Sequence, residues 1–242
     1  MNFGLTEIFQ CFKKLSSEVK TKTCKKIGRH SELTLSVAPT NRSNTKRIMV
    51  YGDSNSFRPD GAEKSWPSIL QNKNRSHLRV FNESCDGRTI NHDTGQYNGL
   101  FYIKHRLNAY KSLDYIIFML GTNDLKIKYG PATPQKIIRD MKNLIAAVES
   151  HGRDIKPILL TPPPMGTVAS GQLANAHSRV KQLAAEYRKL AFELVIPLVD
   201  IYSTLGIATD MEDDMIHINS KGRQKVADAL WSEIFIQSTP QA

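Results

Sequence analysis

A chain of 242 residues, 40% hydrophobic and 23% charged, has the length and composition of one soluble α/β domain with a sizeable core, and no apolar run in it could span a bilayer. Its three cysteines, Cys11, Cys24 and Cys85, have neither the even count of a disulfide framework nor metal-ligand spacing, which fits a reducing compartment. The formal net charge of +10 is uneven: residues 1–47 hold ten Lys/Arg against three Glu, so the basicity argues little for nucleic-acid binding by the rest of the chain.

Residues 1–45 read as a basic N-terminal extension, helical at about 4–20 and disordered at about 28–45. No continuous apolar stretch follows a basic start, so a secretory signal is not expected. A cytoplasmic protein is expected, and three readings of the extension stay open: an organelle transit peptide, an amphipathic arm, or an upstream start codon.

From residue 46 to about 238 the pattern is that of one domain. Arg47-Ile48-Met49-Val50-Tyr51 is a short apolar run that stops at Gly52-Asp53-Ser54-Asn55, as a buried strand would. A short helix is expected at 64–72 and a strand at 78–83, ending in Ser84-Cys85-Asp86-Gly87. A helix at 99–110 carries Leu100, Ile103, Leu107 and Tyr110 at helical spacing. Residues 114–120 are the most hydrophobic run and read as the central strand, closed by Gly121-Thr122-Asn123-Asp124. An amphipathic helix over 134–149 buries Ile137, Ile138, Met141, Leu144, Ile145 and Val148. A strand at 157–160 ends at Pro162-Pro163-Pro164. A long helix at 172–194, a strand at 195–201, a polar loop at 203–220 and a last helix at about 221–236 complete the chain. Strand–helix alternation of this kind builds a parallel sheet covered on both faces.

The chemistry-bearing residues fall just past strand ends, which a parallel sheet gathers on one edge. Ser54 follows the first strand, Gly87 the second, Asn123 the third, and Asp214 and His217 lie beyond the fifth. A serine hydroxyl is a poor nucleophile unless a base lies in hydrogen-bond reach, and His217 can be that base. Its ring needs an acceptor on Nδ1, which Asp214, three residues earlier, can supply. Donors for an oxyanion, each worth roughly 3–4 kcal/mol, can come from the N–H groups of Ser54 and Gly87 and from the Asn123 amide. Each residue alone has a plainer reading: a helix cap at 53–55, a loop-anchoring His217, an Asx turn at Asn123, a structural Asp124. Their joint placement is what points to acyl transfer through a serine.

Gly52-Asp53-Ser54-Asn55, Gly87, Gly121-Thr122-Asn123-Asp124 and Asp214-Met215-Ile216-His217 resemble, in order, the blocks of the SGNH (GDSL-type) hydrolases. Gly87-Arg88-Thr89 and Leu120-Gly121-Thr122-Asn123-Asp124-Leu125-Lys126 resemble the arylesterase/acyltransferase branch. The resemblance implies a three-layer α/β/α, flavodoxin-like fold with a five-stranded parallel sheet. It implies a triad of Ser54, His217 and Asp214, an oxyanion hole of Ser54, Gly87 and Asn123, and no metal or other cofactor. It also implies a small-molecule ester substrate, no nucleic acid or stable membrane insertion, and homo-oligomerisation through 125–133 and 163–176. Asn55, Phe57 and Ser84 depart from the usual leucine, tryptophan and glycine. The expected function is a serine esterase working through an acyl-enzyme. A lysophospholipase or thioesterase, or a non-catalytic ligand-binding module, are the alternatives. The first loop lacks the G-x-x-x-x-G-K-[ST] and G-x-G-x-x-G patterns that a nucleotide binder would carry.

Overall fold

The computed structural model describes residues 45–57, 65–130, 132–167, 169 and 171–236. The readings made for residues 1–44 lie outside the described residues. Five strands form one parallel sheet: β1 (Lys46–Gly52), β2 (Leu78–Asn82), β3 (Tyr115–Met119), β4 (Lys156–Leu160) and β5 (Leu198–Val199). Their spatial order is β2-β1-β3-β4-β5, and Val50 of β1 lies between Asn82 and Ile117. The helices are α1 (Trp66–Lys73), α2 (Gly99–Asn108), α3 (Pro134–Glu149), α4 (His177–Leu194), α5 (Ile201–Thr204), α6 (Ile207–Asp210) and α7 (Ser220–Leu230).

Alternation along each strand divides the core in two. Met49, Tyr51, Ile116 and Phe118 pack against Ile103 and Leu107 of α2, Ile137 and Met141 of α3, and Leu183 and Tyr187 of α4. Ile48, Val50, Ile117 and Met119 pack against Trp66 and Leu70 of α1 and Val226 and Leu230 of α7. The sheet is thus covered on both faces, the three-layer flavodoxin-like arrangement that the sequence led us to expect. Each fully buried Leu or Ile contributes roughly 1.5–3 kcal/mol. Local signals agree with the packing. Thr133 caps α3, its hydroxyl accepting from Lys136 N at 3.3 Å, with Pro134 in the first turn, and the expected stripe of six apolar residues is buried.

Three element boundaries differ from expectation by more than two residues. The long helix begins at His177 rather than 172, because Asn175 takes a left-handed conformation (φ 58°) that a helix cannot include. Only two residues of the expected 195–201 strand pair with β4. Val195 closes α4 with φ 53°, and Asp200 caps α5, accepting from Ser203 N at 3.3 Å. The last helix stops at Leu230 and continues as a π-turn over Trp231–Ile236.

The connections leave β1 in one direction and β3 in the other, so the chain direction switches between these two strands. Open α/β sheets bind ligands at such a point. The loop after β3 is fixed there by Gly121, at φ +109°, where an added Cβ would stand 3.0 Å from Leu183 Cδ2. The Tyr187 hydroxyl donates to Leu120 O at 2.9 Å and ties the same loop to α4. Among the described residues, no helix is long and apolar enough to cross a membrane.

Candidate active site

β1 ends in one tight helical turn. Ser56 N and Phe57 N donate to Asp53 O at 3.0 and 2.8 Å, and the buried Asp53 carboxylate accepts from Asn55 N at 3.0 Å. Indole and amide donors then pin the turn from outside: Trp66 Nε1 to Ser56 Oγ at 3.2 Å, and Asn82 Nδ2 to Ser56 O at 2.9 Å. Ser54 is left half-buried at the head of this turn.

His217 arrives from the far end of the chain, on a loop between α6 and α7. Met211 and Ile218 form an antiparallel bridge, Glu212 N donates to His217 O at 2.7 Å, and Met215 makes the reversal with φ 58°. Asp214 Oδ1 accepts from the N–H groups of Ile216 and His217, each at 2.9 Å, while Oδ2 lies 2.5 Å from His217 Nδ1. His217 Nε2 lies 2.9 Å from Ser54 Oγ. An ionised carboxylate only accepts, so the ring proton sits on Nδ1 and the Nε2 lone pair faces the serine hydroxyl. Burial opposes ionising Asp214, but the N–H of His217, its imidazole and the N–H of Ile216 outweigh it and hold the carboxyl below its ordinary value.

Hydroxyl, imidazole and carboxylate therefore form one hydrogen-bonded chain. Gly87 and Asn123 join the same edge without a bond to Ser54. Asn123 is buried, and its Nδ2 donates to Asp53 Oδ2 at 3.3 Å and to Arg88 O at 3.2 Å. Gly87 has φ +72°, with open space on its Cβ side except for the Lys126 ammonium at 3.8 Å. The N–H groups of Ser54 and Gly87 have no acceptor among the described residues. A serine hydroxyl held by an imidazole in this way is equipped to attack a carbonyl carbon. Among the described residues, no three His, Cys, Asp or Glu side chains gather as a metal site.

The sequence model of the GDSL-like lipase/acylhydrolase family matches residues 50–225, which takes in Ser54, Gly87, Asn123, Asp214 and His217. The chain belongs to that family. Among solved structures, this GDSL-family esterase/acylhydrolase is similar to a carbohydrate acetylesterase family member from Sinorhizobium meliloti, at 25% identity and TM-score 0.71 over 79% of this chain and 98% of that one. It is similar also to the inhibitor-bound form of M. smegmatis aryl esterase, at 25% identity and TM-score 0.66 over 78% of this chain and 100% of that one. A lipase/acylhydrolase from Enterococcus faecalis, 19% identical, shares the fold with TM-score 0.66 over 82% and 100% of the two chains. No curated protein matches the sequence.

Two supports of this GDSL-family site become visible only in the fold. Arg88 is buried, lies over the Tyr51 ring at 4.1 Å, and donates to the carbonyls of Glu83, Gln96 and Gly52 at 2.6, 2.9 and 3.3 Å. It thereby fixes the Gly87 loop against the end of β1. An arginine in a polar loop gives no local sign of burial. Asn55, which by sequence reads as a cap residue and a departure from the leucine of the family name, bonds across to the His217 loop.

Two buried carboxyls beneath the site carry a pH signature. Burial pushes Asp53 up to about 6, partly offset by the Asn55 N–H and by the charges of His217, Lys126 and Arg88. Burial pushes Asp124 up to about 7 against the N–H groups of Ile90 and Asn91, with Asp140 and Asp53 raising it further. Both values exceed the ordinary carboxylate value, so the unfolded chain loses these protons first as pH rises. Their contribution to stability is greatest below about pH 4 and is lost progressively up to about pH 7. Asp124→Asn keeps an oxygen for Ile90 N–H, which Asp124 binds at 2.9 Å. The variant is expected to gain melting temperature relative to the native protein between pH 4 and pH 7, as thermal melts across that range would record.

Proposed function

We propose that the protein is a serine esterase that cleaves short-chain carboxylic esters through an acyl-enzyme. The observation that carries this reading is the chain Ser54 Oγ, His217 Nε2, His217 Nδ1, Asp214 Oδ2, with contacts of 2.9 and 2.5 Å. Ser54 Oγ attacks the ester carbonyl carbon while His217 Nε2 takes its proton. The carbonyl π electrons move to the oxygen, which the N–H groups of Ser54 and Gly87 receive. The tetrahedral adduct collapses, the C–O bond to the alcohol breaks, and His217 returns the proton to the departing alkoxide. Water, or an alcohol, then adds to the acyl-Ser54 carbonyl with His217 again as base, freeing the acid or a new ester. Asp214 holds the ring in the productive tautomer and stabilises the imidazolium.

Asn123 is the third donor in this reading. Its present bonds, at 3.2 and 3.3 Å, are long for N–H···O contacts. A charged oxygen makes shorter and stronger bonds, so exchange toward it is favourable as charge develops. Asn123→Ala is expected to lower kcat by about 10²-fold with a much smaller change in KM, because the contact strengthens only in the transition state. Steady-state kinetics on p-nitrophenyl acetate measures both.

The names of the structures that are 25% identical, an acetylesterase family member and an aryl esterase, support short acyl groups and small alcohols. The deciding experiment pairs a fluorophosphonate probe with a chain-length series of p-nitrophenyl esters. Labelling of Ser54 and a rate maximum at acetate or propionate support the proposal. An unlabelled Ser54 would leave a ligand-binding module, and a maximum at long acyl chains would leave a lysophospholipase or thioesterase.

A further inference from the structure

We infer that Asn55 is the positioning residue that sets His217 against Ser54, by pairing with the main chain on both sides of the histidine. The inference rests on the proposed roles of Ser54 and His217. Asn55 is 4% exposed, and its carboxamide faces the His217 loop. Oδ1 accepts from Ile218 N at 2.9 Å, and Nδ2 donates to Ile216 O at 3.4 Å. A residue of a parallel strand pairs in the same way, its N–H and C=O bonding to the residues before and after the one opposite. The carboxamide has the donor and acceptor of a peptide unit, so it stands in for a strand that the sheet does not provide here.

The contacts that shape the His217 loop lie elsewhere. Glu212 N to His217 O, the Met211–Ile218 bridge, and Arg223 Nη1 to Ile218 O at 2.7 Å stay within the C-terminal segment. Gly166 N to Met215 O at 3.0 Å ties the loop to the segment after β4. Among the described residues, the hydrogen bonds from residues 53–57 to this loop are those of Asn55 and the Ser54–His217 contact itself. The two catalytic loops come from positions 163 residues apart. Asn55 sits next to the nucleophile and grips the residues on either side of the base, so it fixes the Cα of 217 and with it the reach of the ring. A leucine or alanine at 55 has no group for either bond.

The test measures kcat and KM on p-nitrophenyl acetate for Asn55→Leu, which is close in volume, and for Asn55→Ala, which leaves room if leucine does not pack. We expect kcat to fall about 10- to 100-fold, the scale of a misplacement near 1 Å, with KM within about threefold and fluorophosphonate labelling slowed by the same factor as kcat. In a His217→Ala background either substitution should cost nothing further, because the residue acts through the imidazole. Full kcat in both variants would overturn the inference, as would an equal loss in the His217→Ala background. A dead Ser54→Ala beside a fully active Asn55→Leu and Asn55→Ala sinks the clamp alone, whereas an active Ser54→Ala sinks the reading of the site beneath it.

Discussion

Ser54→Ala is expected to lower kcat/KM for p-nitrophenyl acetate by about 10⁴- to 10⁶-fold, the range seen when a serine nucleophile is removed from a working triad. The change deletes one oxygen from a half-buried side chain whose hydrogen-bond partner is the His217 ring at 2.9 Å. It leaves the turn from Asp53 to Phe57 intact, since that turn is held by backbone bonds and by Asn82 and Trp66. The melting temperature should therefore stay within a few degrees of the parent, on the order of 1 kcal/mol for one partly exposed hydrogen bond. The loss should also be non-additive with His217→Ala, because the base has nothing to activate once the hydroxyl is gone. Activity above a tenth of the parent in Ser54→Ala would mean that another group attacks the ester.

The second large effect is expected at Asp214. Asp214→Asn presents an NH₂ or a single oxygen where the carboxylate offered two acceptors. Oδ1 now serves Ile216 N and His217 N, and Oδ2 serves the imidazole. An asparagine cannot serve both sets, and an NH₂ turned to the ring would move the imidazole proton from Nδ1 to Nε2. The nitrogen facing Ser54 would then be a donor and no base. Loss of kcat of about 10²- to 10⁴-fold follows, the lower end reflecting a carboxylate that solvent reaches and can partly replace. Asp213→Asn is the control: that side chain is exposed, next door, and outside the hydrogen-bonded chain. Equal losses in the two variants would assign the effect to loop charge rather than to tautomer control.

Much of this is legible in the sequence. The buried runs at Ile48–Tyr51 and 116–120 have the length and apolarity of central strands, and the stripe from Ile137 to Val148 has one period only. Once the sheet is parallel, residues just past strand ends share an edge, so Ser54, Gly87 and Asn123 could be placed together from order alone. What escaped depended on conformations or partners remote in sequence. Val195 closes a helix in a left-handed conformation that β-branched residues rarely take, so a strand was expected where the helix ends. The polar stretch 203–220 holds α6 and the end of α5, each a single turn too short for a periodic pattern. Asn55 reads as a local turn residue until its partner loop, 163 positions away, is in view.

The lateness of the histidine has a consequence for synthesis. Everything up to β5, with the hydroxyl and the free N–H groups, precedes residue 200, while the base and its carboxylate come after the last strand and before α7. A chain that stops at that strand lacks the imidazole that lies 2.9 Å from the Ser54 hydroxyl, and it lacks α7, whose Val226 and Leu230 cover one face of the sheet. Under the proposed mechanism, ester turnover requires this final segment, and a chain that ends before it is expected to be inert toward p-nitrophenyl acetate.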